Sequence, residues 1–413
     1  SETLPNTFDR AETSMAARIN FLALVFCLTI GTAALPHVLM RYYTTPSVRQ
    51  ARESVFWSLL FILLLYITAP AYAVFVKYEV FTNLVNIPIV NLPSWVAAWS
   101  KVGLVSIEDI NRDGILQLAE LSLNPDVVVL ATPEIAGMPY VVSGLVAAGG
   151  LAAALSTADG LLLTITSALS HDLYYRVFRP HSSTQLRLVI SKSLLLVVAV
   201  FAAMVAAQKP GTILAMVAWA FSIAGSAFFP ALVLGIFWRR ATRAGALTGM
   251  IVGLLVAVYY IFRMEMDSIS WIGVSGLRMT PWFHVNSTSA GVFGVAAGFV
   301  TIILVSLFTG EPKDEGTSFL DALRRTKVHG ETFEGDSYWL QTRRLTFSLL
   351  LVWVAVIFGL SWFADELNSS SLFGFPLGFY MAAQGSLFIF LGLIWFYNRK
   401  MRKVDGELGI ADE

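Results

Sequence analysis

The sequence predicts an all-α integral membrane protein of about nine transmembrane helices, and three observations carry that prediction. Apolar residues make up 56% of the chain and charged residues 14%, a balance that a water-wetted domain does not have. The mean hydropathy of +0.68 points the same way. The apolar residues are also gathered into runs of about 20, the length a helix needs to cross about 30 Å of hydrocarbon. A formal net charge of zero gives no basis for nucleic-acid binding. The single cysteine, Cys27, excludes a disulfide framework or a CxxC metal site and reads as packing.

Residues 1–18 are mixed polar and read as a loop. The first span lies near 19–40 and ends in Gly31-Thr32-Ala-Ala-Leu-Pro36-His37. Pro36 removes a backbone donor, which in a membrane helix commonly marks an unwound, cavity-lining segment. Gly31, Thr32, Pro36 and His37 are therefore candidates for a solute cavity. His37 reads equally well as an interfacial histidine capping a broken helix. Arg41, Arg49 and Arg52 follow, and such basic loops mark the cytoplasmic side. The second span runs near 55–76 and is interrupted at Ala69-Pro70-Ala71, so residues 77–135 are expected outside.

That outer loop contains Asp109-Ile-Asn111-Arg-Asp113-Gly-Ile115-Leu-Gln117-Leu-Ala-Glu120, which matches the twelve-residue calcium loop at every required position. Oxygens fall at loop positions 1, 3 and 5, Ile115 offers a carbonyl, Gln117 follows, and Glu120 can close bidentately. These six residues form a candidate calcium site. A turn rich in Asp and Asn that binds nothing is the alternative.

The stretch 137–170 is where function is most legible. From Tyr140 to Ser170 its only charge is Asp159, and mid-span it carries Ser156-Thr157-Ala-Asp159. A carboxylate at that depth must face protein, water or an ion, so Asp159 is a candidate second cation or proton site. Ser156 and Thr157 alone could equally bond carbonyls one turn back.

Further spans are expected near 193–207, 212–238, 244–262 and 289–308, with Lys209-Pro210 in an external turn and 263–287 as an outer loop. The span 212–238 carries Gly225 and Pro230, which predict a kink. Ser222 and Ser226 lie one turn apart on a shared face; a resemblance of this span to the tenth core helix of a symporter family implies that they are candidates for the solute cavity, with back-bonding to the helix at least as good a reading. A polar stretch, 310–344, reads as a cytoplasmic linker. A separate membrane hairpin and tail follow over 345–413, with Gln384 in mid-helix and Arg399 to Lys403 at the end. There is no G-x-S-x-G, H-E-x-x-H or P-loop, so the chain does not read as an enzyme.

Ser156-Thr157 followed by Ser167-Ala-Leu-Ser-His-Asp172-Leu-Tyr174 resembles the signature helix of the sodium:solute symporter family. In that family two adjacent hydroxyl residues precede the Asp of an Asp-(Leu/Ile)-Tyr motif by fifteen positions, the spacing of Thr157 and Asp172. The wording around Gly149-Gly-Leu-Ala-Ala-Ala-Leu-Ser-Thr is similar to the acetate-permease-like branch. The resemblance implies that the Ala153 carbonyl with the Ser156 and Thr157 hydroxyls forms half of a sodium site. It also implies a LeuT-like inverted-repeat fold, of which residues 1–309 would be the second half. The solute implied is a small monocarboxylate. The hairpin, with Tyr338-Trp339 and Gly374-Phe-Pro376, resembles the small two-helix subunit usually encoded beside these symporters.

On this reading the chain opens at Ser1 without the first repeat, as a fragment would, and the missing helices or a partner chain must complete its sites. The expected location is the inner cell membrane, multi-pass, with the C-terminus cytoplasmic. The expected activity is sodium-coupled uptake of a small organic solute across the lipid bilayer. A transporter-like sensor or regulatory subunit without transport is the alternative.

Overall fold

A computed structural model describes residues 15–42, 44–208, 211–265, 281–310, 327–328, 331–332, 336–372 and 374–407. The turn at Lys209-Pro210, most of the outer loop 263–287 and most of the linker 310–344 lie outside the described residues. Nine helices among the described residues are long and apolar enough to cross a membrane. The only sheets there are two-stranded ladders, so the described architecture is the all-α integral membrane class.

The helices in chain order are α1 (Met15–Ala34), α2 (Pro36–Tyr42), α3 (Val48–Asn83), α4 (Ser94–Lys101), α5 (Val128–Ile135), α6 (Tyr140–Ser167), α7 (Thr184–Ala207), α8 (Ile213–Phe237), α9 (Arg243–Glu265) and α10 (Gly291–Phe308). The hairpin adds α11 (Asp336–Trp362), α12 (Ala364–Leu367), α13 (Leu377–Tyr380) and α14 (Ser386–Glu407). Contacts divide the chain into two compact units, Ile67–Ile213 and Ser1–Tyr66 with Leu214–Glu413.

The discontinuous unit is built on close helix crossings. On α9, Gly245, Gly249 and Gly253 recur every four residues and face Gly294, Gly298, Ile302 and Ser306 of α10. A methyl at Gly249 would sit 3.0 Å from the Gly298 carbonyl, and one at Gly253 would sit 3.0 Å from that of Gly294. Lipid tails are as apolar as leucine, so such helices associate by letting backbones approach, which small residues four apart permit. The seam is tied at one end by Thr242 and Thr309, whose hydroxyls lie 2.8 Å apart. At the other end the buried Tyr260 hydroxyl donates to the Val285 carbonyl at 2.5 Å.

The C-terminal hairpin docks in the same unit through polar contacts near both of its ends. Arg18 of α1 meets Asp365 at 2.6 Å. Near the other end Arg52 of α3 meets Asp405 at 2.7 Å, Arg402 meets Glu53 at 2.9 Å, and the Asn398 amide donates to the Arg52 carbonyl. Between these the Phe237 and Phe347 rings are 5.8 Å apart.

The continuous unit begins inside α3, which runs to Asn83, so the expected span 55–76 extends by roughly two turns at each end. Pro70 lies within this helix without ending it. Residues 77–135 form a small folded body. Strand β1 (Val105–Ile107) pairs antiparallel with β2 (Leu121–Leu123) in the register Val105↔Leu123. Leu84, Leu116, Val105, Val96 and Ala131 form its buried core. Full burial of each large aliphatic side chain contributes about 1.5–3 kcal/mol. Helices α6 and α7 complete the unit, and neither has a buried residue in the apolar window of its span.

Candidate functional site

The polar residues of the central span all sit on α6. Spacings of three and four place Ser156, Thr157, Gly160, Thr164 and Ser167 along one helix face. Ala153, Ser156, Thr157 and Asp159 are exposed in this chain. The Thr157 hydroxyl donates to the Ala153 carbonyl at 3.4 Å, the bond to the carbonyl one turn back that is the alternative to a sodium role for this residue. Thr164 repeats the pattern one face-repeat on, donating to the Gly160 carbonyl at 2.7 Å. Asp159 has no hydrogen-bond or ion-pair partner among the described residues.

Beyond Ser167 the helix continues but its winding changes, and Ala168–Phe178 form a π-helix. Wide turns of this kind are rare and are frequently found at functional sites, and here they carry Asp172 and Tyr174. His171 Nδ1 and Asp172 Oδ1 are 3.1 Å apart. The Arg187 guanidinium, from the first turn of α7, stacks 4.2 Å from the Tyr175 ring and fixes this segment against the next helix. Thr166 is buried at 4% exposure, and its hydroxyl has no hydrogen-bond partner among the described residues. Composition alone gave no sign of the π-winding or of Thr166.

The residues expected at a solute cavity fall in the other unit. Leu35 alone is non-helical between α1 and α2, so the break at Pro36 is one residue wide and Gly31 to Ala34 remain helical. Thr32 is exposed and donates to the Leu28 carbonyl at 2.7 Å, while Pro36 and His37 are half-buried. Gly31 is where α1 crosses α8, facing the Phe221 backbone, and Gly225 faces Ile30. Ser222 and Ser226 are fully buried beside it. The Ser222 hydroxyl donates to the Thr288 carbonyl at 2.8 Å, and that of Ser226 donates to the Ser222 carbonyl at 2.6 Å. Both hydroxyls are thus engaged by backbone within a close-packed seam. Helix α8 is continuous through Gly225 and Pro230.

The Asp109–Glu120 loop closes on itself. Asp109 Oδ2 accepts from Gly114 N at 3.1 Å, Asn111 Oδ1 from Asp113 N at 3.1 Å, and Asp113 Oδ1 from Ile115 N at 2.7 Å. Glu120, only 4% exposed, accepts from Ile110 N and Gln117 N, both at 2.9 Å. The Ile115 N–H holds the Asp113 carboxyl below its usual value against the opposing effect of burial, with the Asn111 and Gln117 amides adding to the lowering. Among the described residues no group of three or more His, Cys, Asp or Glu is disposed to hold a metal ion. The calcium expectation for Asp109, Asn111, Asp113, Ile115, Gln117 and Glu120 is therefore not supported; most of the side-chain oxygens serve the loop's own N–H and amide groups, and Asp109 Oδ1 is buried without a hydrogen-bond partner among the described residues.

Residues 123–253, which contain all of α6, its π-wound extension and both α8 serines, match the model of the sodium:solute symporter family. The chain carries a sodium:solute symporter domain. Residues 335–411, the membrane hairpin, match a domain of unknown function, DUF4212. An uncharacterized symporter of Cupriavidus necator is 53% identical over 311 residues, which cover 75% of this chain and 45% of that relative. The chain therefore spans less than half the length of this curated relative. No solved structure matches the symporter-domain chain at a significant level.

Proposed function

We propose that this chain forms one flank of a sodium-coupled symporter that takes up a small organic solute by alternating access. The observation that carries the reading is the oxygen set on α6, where the Ala153 carbonyl and the Ser156 and Thr157 hydroxyls lie exposed in the middle of a span that is otherwise apolar. Sodium is a hard cation that takes oxygen ligands. One helix face supplies two or three of them, and the rest come from further helices or a partner chain. Asp159, a carboxylate without a partner among the described residues, serves as a second cation or proton site.

Coupling follows from linkage. Sodium bound at Thr157 favours one conformation, and a solute that prefers that conformation binds more tightly in its presence. The one-residue break at Leu35, ahead of Pro36 and His37, supports a solute region at this end of α1. A small monocarboxylate such as acetate suits a broken helix, whose half-helix N-terminus favours an anion. The basic clusters Arg49 and Arg52, Arg239, Arg240 and Arg243, and Arg399 to Lys403 support a cytoplasmic side for their ends of the spans and for the C-terminus, and the membrane of this reading is the inner cell membrane.

The test is uptake by the complete protein in proteoliposomes, with an inward sodium gradient compared against an equal potassium gradient across a panel of short monocarboxylates. Sodium-dependent accumulation of one of them is expected. Sodium-independent uptake would refute the coupling, and solute binding without uptake would make the protein a sensor.

A further inference from the structure

The basic ends of α3 and α14 enclose a cavity of about 320 Å³ whose walls are of two kinds. Phe56, Trp57 and Trp395 form an aromatic wall where the apolar spans give way to charge, the depth that tryptophan favours at a membrane interface. Both indoles are about half exposed, so the wall is open to a ligand. Asn398, Arg399 and Arg402, on the same helix as Trp395, supply its polar and cationic lining.

Charge is not balanced on that cationic lining. Among the described residues Glu53 is the only acid lining the cavity, and it is shared between Arg402 at 2.9 Å and Arg49 at 3.3 Å. Asp405, the nearby acid of α14, is engaged by Arg52 at 2.7 Å. Arg399 lies 5.5 Å from the Trp395 ring and has no carboxylate partner among the described residues. A guanidinium presents a planar fork suited to phosphate oxygens.

We propose that this cavity binds the headgroup of an anionic phospholipid. The phosphate lies against Arg399 and Arg402, and the glycerol and upper acyl chain lie along Trp57, Phe56 and Trp395. A volume of about 320 Å³ accommodates a headgroup and leaves the chains in the bilayer. Basic pockets between membrane helices are the usual seat of such headgroups. A free anion would have no use for an aromatic wall at lipid depth. The lipid would bridge α3 to the hairpin, giving the DUF4212 region a lipid-dependent hold on that helix. This inference is independent of the transport reading.

The test is titration of the purified complete protein, in neutral detergent, with short-chain phosphatidylglycerol, phosphatidylcholine and inorganic phosphate. Arg399→Gln is compared with Lys400→Gln, an equal charge change at a residue that does not line the cavity. Loss of one cation near a membrane surface weakens anionic-lipid binding about fivefold wherever it lies. Loss of a direct charge-assisted contact adds about tenfold. Phosphatidylglycerol should therefore bind more tightly than phosphatidylcholine, with affinity falling about fiftyfold in Arg399→Gln and about fivefold in Lys400→Gln. Equal losses in the two variants would replace the site with diffuse surface attraction. Equal binding of phosphatidylcholine, or full displacement of the lipid by millimolar inorganic phosphate, would also overturn the proposal.

Discussion

Replacing Gly31 by alanine tests the crossing of α1 and α8 on which the candidate solute region rests. A Cβ at this position would lie 2.5 Å from Phe221 Cβ, 2.6 Å from its carbonyl oxygen and 2.8 Å from its Cα. Carbon atoms settle at about 3.5–4.0 Å, so the two helices must part by about 1 Å at their crossing. None of the three neighbours is the end of a flexible side chain. Overpacking costs about 1–3 kcal/mol, and the upper end is expected where backbone must move. Gly225→Ala meets Ile30 Cγ2 at 3.1 Å, a methyl that can give, so its cost should stay under about 1 kcal/mol. Gly392→Ala meets nothing within 4 Å and should be neutral or gain about 0.5–1 kcal/mol of helix propensity. Melting of the three purified variants in one detergent should rank Gly31→Ala lowest, Gly225→Ala between it and the parent, and Gly392→Ala at or above the parent. A Gly31→Ala protein that melts with the parent would refute the close crossing.

A double-mutant cycle on Arg52→Gln and Asp405→Asn should give a coupling of about 1.5–3 kcal/mol, because both side chains are at most a fifth exposed. The exposed Arg49–Glu53 pair should give about 0.3–0.5 kcal/mol, and equal couplings would contradict the docking described for the hairpin. Glu120→Gln replaces one acceptor oxygen by a donor in a buried site, leaving the N–H of Ile110 or Gln117 unpaired at about 1–3 kcal/mol. That loss should be the same with calcium or with a chelator, and a calcium-dependent rise in the parent's melting would restore the metal site. The Asp113 carboxyl is held below its unfolded value, so its contribution is full above about pH 4 and disappears as pH falls through the folded value. The melting difference between parent and Asp113→Asn should accordingly be present at pH 7 and shrink below about pH 4, whereas a constant difference would contradict the loop geometry.

The spans were legible because lipid imposes a single demand, an apolar run long enough to satisfy its own backbone across the hydrocarbon. Pro70 reads as an interruption of its span, yet it lies inside a continuous helix, since neighbouring turns can absorb one lost bond. The spacing of Gly245, Gly249 and Gly253 is a signal of their seam that the sequence itself carries. The ion pairs of the hairpin join residues some 350 positions apart, and no local pattern encodes such a pairing. Ser222 and Ser226 show the limit most clearly. A serine pair one turn apart fits a solute cavity and a packed seam equally well, and only the Thr288 carbonyl beside Ser222 distinguishes them here. The π-winding of Ala168–Phe178 likewise depends on how many residues each turn holds, which composition does not record.

The sodium dependence of solute uptake in Thr157→Ala, set beside Thr157→Ser in the complete protein, tests the central claim most directly. Serine keeps the hydroxyl that lies 3.4 Å from the Ala153 carbonyl, and alanine removes it. The account predicts that alanine raises the sodium concentration for half-maximal uptake about tenfold, equivalent to about 1.4 kcal/mol, while serine stays within about twofold of the parent. An alanine variant with the parent's sodium dependence would contradict the assignment of this helix face to sodium.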